Sequence, residues 1–227
     1  MTEAEWLACE DPERLLGLVA EIASERKRRL FSVACCRRIW HLMTDGRSRV
    51  AVEVAEQSAD GFAGKRQRNA AMKSALDARS DVDVPPINIA AFNSAFAAVI
   101  ALSRTMDRWD ARDAANAVSY ALGDAVDSSG LDAQPFHANL LRDVFSFPGH
   151  PVRGQQKWPF APIPALAQAA YDARVLPSGH LDEARLAVLS DALEEAGCVD
   201  AEILSHLRSP GPHIRGCWAL DVVLGKG

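Results

Sequence analysis

The chain has 227 residues, 48% hydrophobic and 24% charged, and carries a formal net charge of -5. That composition excludes a disordered tail and is enough for a folded core that needs neither disulfide nor metal. No run approaches the roughly 18 apolar residues of a membrane span. The acidic opening MTEAEWLACEDPERLL is unlike a signal peptide, so a cytoplasmic protein without membrane contact is expected. A pI near 5.7 argues against a wholesale nucleic-acid coat and leaves room for one basic patch.

In chain order, the apolar positions recur at three and four residues and Val and Ile never alternate, which predicts an all-α fold with no strand. Thr2 with Glu5 forms a capping-box pattern, and Asp11-Pro12 supplies an N-cap followed by a proline, predicting helices over 3–9 and 12–22. Ser24 opens the best-patterned segment, SERKRRLFSVACCRRIWHLM. At about 100° per residue its apolar side chains cover most of the circumference, while Arg26, Lys27, Arg37, Arg38 and His41 crowd the remainder into a basic strip. Asp45-Gly46 turns the chain into a helix that ends near Gly61, and 64–80 reads as a thin, solvent-facing helix. Pro85-Pro86 is a break. Two segments then read as an antiparallel helical hairpin, with Ile89, Phe92, Phe96, Val99 and Ile100 on one face and Trp109, Ala117, Tyr120 and Val126 on the other. PFHANLLRDVF is a short helix, and the proline-rich stretch that follows holds Trp158 and Phe160. Beyond it lie three or four short helices, one of them closed by Gly197 as a C′ residue. The expected architecture is an N-terminal helical bundle over 1–146, a Pro-rich linker over 147–164 and a smaller C-terminal helical subdomain over 165–227.

The two ends of the chain resemble an uncharacterised family of paralogous proteins expanded in planctomycete bacteria. The likeness is carried by MTEAEWLACEDPERLL, by ACCRRIWHL, by LLRDVF and YDAR, and by LSDALEEAGC and PGPHIRGCW. It implies a shared bacterial fold and no particular activity. In such proteins the middle, about 64–135, varies, and a cysteine often follows the position of His206, where this chain has Leu207.

Four sets of residues carry chemistry. Cys198, His206, His213 and Cys217 have the donor types of a zinc site, although their spacing fits no standard finger; the plainer reading is buried cysteines and helix-capping histidines. Cys35 and Cys36 lie beside Arg37, Arg38 and His41, as a thiolate nucleophile requires, but the helix aims both thiols away from the strip, which favours core packing. With five cysteines and no CxxC, no disulfide framework is expected. Arg26, Lys27, Arg37 and Arg38, extended by Arg47 and Arg49, could meet nucleic acid or another anion, or pair with Glu21, Glu25, Asp45 and Glu53. At the C-terminal end His213, Arg215 and Asp221 could converge on a small ligand at the start of the last helix; the plainer reading is that Trp218, Leu220, Val223 and Leu224 dock that helix, with Arg215 and Asp221 as an ion pair.

No GxGxxG, Walker A, GxSxG or HExxH occurs. The expected function is therefore a non-catalytic protein-interaction or adaptor module whose partner is another protein, with 64–135 as its recognition surface. The alternatives are a zinc-binding or thiol-dependent enzyme built on the Cys198/His206/His213/Cys217 set and a nucleic-acid binder using the strip of 24–43.

Overall fold

The computed structural model describes residues 1–82, 89–103, 107–124, 133–149 and 162–226. The fold is all-α. Helices α1 (Glu3–Ala8), α2 (Pro12–Val19), α3 (Glu25–Arg38), α4 (Gly46–Ala59), α5 (Lys65–Val82), α6 (Ile89–Ala101), α7 (Arg108–Asp124) and α8 (Ala133–Val144) are followed by α9 (Pro162–Asp172), a two-residue hairpin of β1 (Arg174–Val175) and β2 (His180–Leu181), and α10 (Glu183–Glu195), α11 (Ala201–Leu207) and α12 (Trp218–Leu224). The hairpin departs from the strand-free expectation: it pairs Arg174 with Leu181 and Val175 with His180, too short a ladder to leave a pattern of alternation. Helix α9 starts at Pro162, inside the stretch expected as linker. Pro85-Pro86, Trp158, Phe160 and Val126 lie outside the described residues.

Local chemistry sets the helix starts. Thr2 and Glu5 close a reciprocal capping box before α1, Asp11 accepts from the N–H groups of Glu13 and Arg14 before α2, and Ser24 and Asp45 accept from the third and second residues beyond them before α3 and α4. Each cap satisfies donors that the first helical turn leaves open, which contributes about 1 kcal/mol.

Helix α3 is the axis of the larger body. It packs against α4, α6, α7 and α8, and every residue from Arg29 to Arg37 is buried. A helix covered on all sides cannot offer an open strip, so its cations must find partners inside. Arg29 pairs with Glu25 and donates to the carbonyls of Ala101 and Ser103.

The middle of the chain is less peripheral than its composition implies. Ala71, Ala75 and Ala78 of α5 are buried, their small side chains letting α5 lie against α4 and α6. Ala97, Ala98 and Ala101 of α6 and Ala111, Ala114 and Val118 of α7 are fully covered. Trp109 and Tyr120, expected to pack, stand 49% and 65% exposed; alanine and valine make the α7 contact in their place.

Two apolar cores result. One spans residues from Trp6 to Phe145, and the other runs from Ile163 to Val223. Ile214, from the segment between α11 and α12, crosses into the first core. That segment is held by Leu181 donating to the His213 carbonyl and by a bridge between His180 and Ile214. Gly216 is required beside it: its φ is +95°, and a Cβ there would lie 2.9 Å from Leu30 Cδ1.

A second junction lies alongside. Arg26 pairs with Asp60 at 2.9 Å and with Asp221 at 2.7 Å, and Lys27 pairs with Asp221 at 2.6 Å. The Tyr171 hydroxyl donates to Asp60 at 2.6 Å and accepts from Arg26 at 2.7 Å. Asp221 therefore belongs to this network and not to Arg215, which lies 4.0 Å from Glu56 and 3.8 Å from Asp172.

Candidate metal centre

Four side chains from both bodies converge where the segment after α11 meets α8. Asp143 sits one residue before the end of α8 and is buried among Leu140, Leu141 and Val144. Asp200 caps α11 and so starts the helix that puts His206 in its last turn. Ser209 then turns the chain back, its hydroxyl donating to the His206 carbonyl at 2.7 Å. His213 follows the Gly211-Pro212 turn. Cys217 is the N-cap of α12 but makes no side-chain cap bond, because its sulfur turns toward His206.

Asp143 Oδ1 is 2.8 Å from His213 Nδ1 and 3.1 Å from His206 Nε2, and Cys217 Sγ is 3.3 Å from the same His206 nitrogen. The four donor atoms all lie within 4.8 Å of one another. The surroundings fix their orientation. Asp143 Oδ2 accepts from the Ile214 N–H at 2.8 Å, which leaves Oδ1 for the centre. His213 Nε2 lies 3.0 Å from the Ser209 carbonyl, a bond in which the ring nitrogen donates, so Nδ1 faces inward. The His206 ring is packed against Trp218 with centroids 4.9 Å apart.

Charge is concentrated here. Burial by itself would raise the Asp143 carboxyl, but hydrogen bonds from His206 and His213 outweigh it and hold the group down at about 2. Burial opposes the charged form of His213, and Asp143 overcomes that and raises it. Without a cation, His213 must keep a proton on Nδ1 to satisfy Asp143; with one, the same nitrogen has a lone pair to give. Burial, reinforced by Asp143, pushes the Cys217 thiol well above its ordinary value, and a bound cation reverses that preference.

A tetrahedron with metal–ligand bonds of about 2.0–2.3 Å has edges of about 3.3–3.7 Å. Of the three close pairs, the one at 3.3 Å has that size and those at 2.8 and 3.1 Å are shorter, as direct hydrogen bonds are, while all the donor pairs lie within 4.8 Å. Carboxylate, two imidazoles and a thiol together form a donor set suited to zinc.

Three of the four residues expected from spacing, His206, His213 and Cys217, do meet. Cys198 does not join them. It follows the αL residue Gly197, its N–H returns to the Leu193 carbonyl to close α10, and its side chain enters the C-terminal core. Asp143 takes its place. Its signal in the sequence is slight: one carboxylate among the apolar residues of LLRDVF, a face where a charge needs a partner. Leu207 is buried in the C-terminal core.

The other expected sites change character. Cys35 and Cys36 are fully buried, and burial pushes both thiols up, Cys36 to about 12; a nucleophile needs the opposite. Arg26 and Lys27 are absorbed by the Asp60–Asp221 network, with Lys27 also donating to the carbonyls of Val144 and Gly216. Arg37 is buried against Glu56. Arg26, Lys27, Arg37 and Arg38 therefore form no continuous patch for a nucleic acid, because most of their charge is spent within the fold. Arg47 pairs with Asp45 as expected, and also with Asp81.

A cavity of about 500 Å³ opens beside the centre, with Asp143, His206 and His213 on its wall next to Trp6, Phe147 and Trp218. Among the described residues no helix is long and apolar enough to cross a membrane. No family model, curated protein or solved structure matches the chain.

Proposed function

We propose that the protein is a zinc-stapled, non-catalytic helical module in which one zinc ion, held by Asp143, His206, His213 and Cys217, fastens the C-terminal subdomain to the N-terminal bundle. The observation that carries this reading is the convergence of four N, O and S donors from α8, α11 and the segment leading into α12. Magnesium and calcium favour all-oxygen shells, and zinc accepts this mixture. Four protein ligands fill a tetrahedron, whereas a catalytic zinc keeps a position for water or substrate. Four protein ligands on one zinc support a structural role for the ion, and so an interaction module over a metal-dependent or thiol enzyme.

Metal analysis of the full chain, refolded with zinc and then desalted, tests the reading. One equivalent of zinc is expected in the wild type, and well below one in His206→Ala and in Cys217→Ser. Asp221→Asn, outside the centre, should keep its zinc. Circular dichroism shows whether each variant is helical. Wild-type protein that is folded and retains far less than one equivalent would overturn the proposal, as would full zinc retention in both ligand variants.

A further inference from the structure

The cavity of about 500 Å³ beside the zinc centre is walled by three helices, each presenting side chains one turn apart: Glu3 and Leu7 of α1, Asn139 and Arg142 of α8, and Glu202 and His206 of α11. Small-molecule sites span about 300–1,000 Å³, and this one falls among them. Most of the wall is apolar, with Phe147 and Trp218 on it. Leu7 is 60% exposed, so an apolar molecule seated there takes it out of water.

Arg142 is the arginine on this wall, and all its hydrogen bonds go to neutral groups. Its Nη1 donates to the carbonyls of Trp6 at 3.0 Å and Cys9 at 2.7 Å, and its Nη2 donates to Asn139 Oδ1 at 2.8 Å. Among the described residues no carboxylate pairs with it, and Glu10 attracts it only from farther away. These bonds tie the end of α1 to α8 and use three of the five guanidinium N–H groups; the Nε–H and one N–H of Nη2 remain. Burial lowers the Arg142 pKa, the cost of a half-buried charge without a counter-ion.

Asn139 is exposed, and with its oxygen accepting from Arg142 its Nδ2 keeps two donors. Guanidinium and amide are thus held together with N–H groups to spare, an arrangement that suits a carboxylate. The acidic groups on the wall are accounted for elsewhere. Glu3 and Glu202 are exposed, and each sits in the first turn of its own helix, where water and the helix dipole offset its charge. Asp143 is met by His206 and His213 within the centre.

We propose that this cavity binds a small aromatic carboxylic acid. Its carboxylate meets the Arg142 guanidinium and Asn139 Nδ2, and its ring covers Leu7 and lies along the apolar wall. None of Arg142, Asn139 and Leu7 is a ligand of the zinc centre, so the inference does not rest on that reading; it adds a small-molecule ligand to the module.

Calorimetric titration of the full chain with naphthylacetate, its neutral amide naphthylacetamide, and acetate tests the inference. Saturable binding of naphthylacetate is expected, with the amide and acetate each weaker by roughly tenfold or more, the size of one lost charge-assisted contact. Asn139→Asp keeps the acceptor for Arg142 and supplies its missing counter-charge from the protein itself, so it should stay folded and weaken naphthylacetate by a similar factor. Leu7→Ser, at an exposed position, provides a second and smaller loss of roughly threefold. Circular dichroism shows whether each variant is helical, and zinc is measured in the same samples, so a failed titration of zinc-loaded protein counts against this inference alone. The inference is overturned by no saturation with naphthylacetate, by the amide or acetate binding equally well, or by affinity unchanged in Asn139→Asp, or in Leu7→Ser where Asn139→Asp does not fold.

Discussion

Among the polar junctions that cross the boundary between bundle and C-terminal subdomain, two are built on different principles. At one, Arg26 and Lys27 meet Asp60 and Asp221, with the Tyr171 hydroxyl bonded to both sides. Its two cations and two carboxylates balance, and the bonds close among themselves. At the other, a single buried carboxylate faces two imidazoles and a thiol. There the donors point at one another and are reconciled either by a proton on His213 or by a metal ion. Burial of polar groups is therefore not itself a sign of a site; the mark of one is a set of acceptors that cannot satisfy each other.

The largest expected effect breaks the balanced junction. Asp221→Ala removes the carboxylate shared by Arg26 and Lys27 and leaves two buried cations without it. The loss should be about 3–5 kcal/mol in urea unfolding, with zinc content unchanged in the protein that remains folded. Simultaneous loss of zinc would show that the two junctions are not separate.

The next effect sharpens the comparison through a histidine that has neither device. His137 is fully covered, beside Phe31 and Phe136, and neither ring nitrogen has a hydrogen-bond partner among the described residues. Burial, with Arg38 adding repulsion, lowers it to about 4, whereas Asp143 raises His213. With the folded value below that of the unfolded chain, stability from a neutral His137 is present above about pH 6.5 and is lost as the pH falls toward 4. The change amounts to roughly 3 kcal/mol. In His137→Leu, urea unfolding across this window should show a shallower acid loss than the wild type; an identical slope in both would remove His137 as its source.

How much of this was legible in the sequence depended on range. The caps at Thr2, Asp11, Ser24 and Asp45 use neighbours two or three residues away, and local spacing finds them. The sequence also marked His206, His213 and Cys217, which lie within twelve residues of one another. Asp143 is 63 residues from His206, and nothing in the spacing of α8 points across that gap. Cys198 had the right chemistry, but a small apolar side chain serves a core equally well. The basic strip is legible in the sequence, and the partners expected from proximity are Glu21, Glu25, Asp45 and Glu53. Arg26 instead reaches Asp60 and Asp221, 34 and 195 residues away, because helix packing and not sequence proximity brings those carboxylates to it.

X-ray absorption at the zinc edge of the reconstituted protein tests the central claim most directly. The account predicts one sulfur at about 2.3 Å and three nitrogen or oxygen neighbours at about 2.0–2.1 Å, with the sulfur lost in Cys217→Ser. A wild-type zinc shell of nitrogen and oxygen alone, or one containing two or more sulfurs, would contradict it.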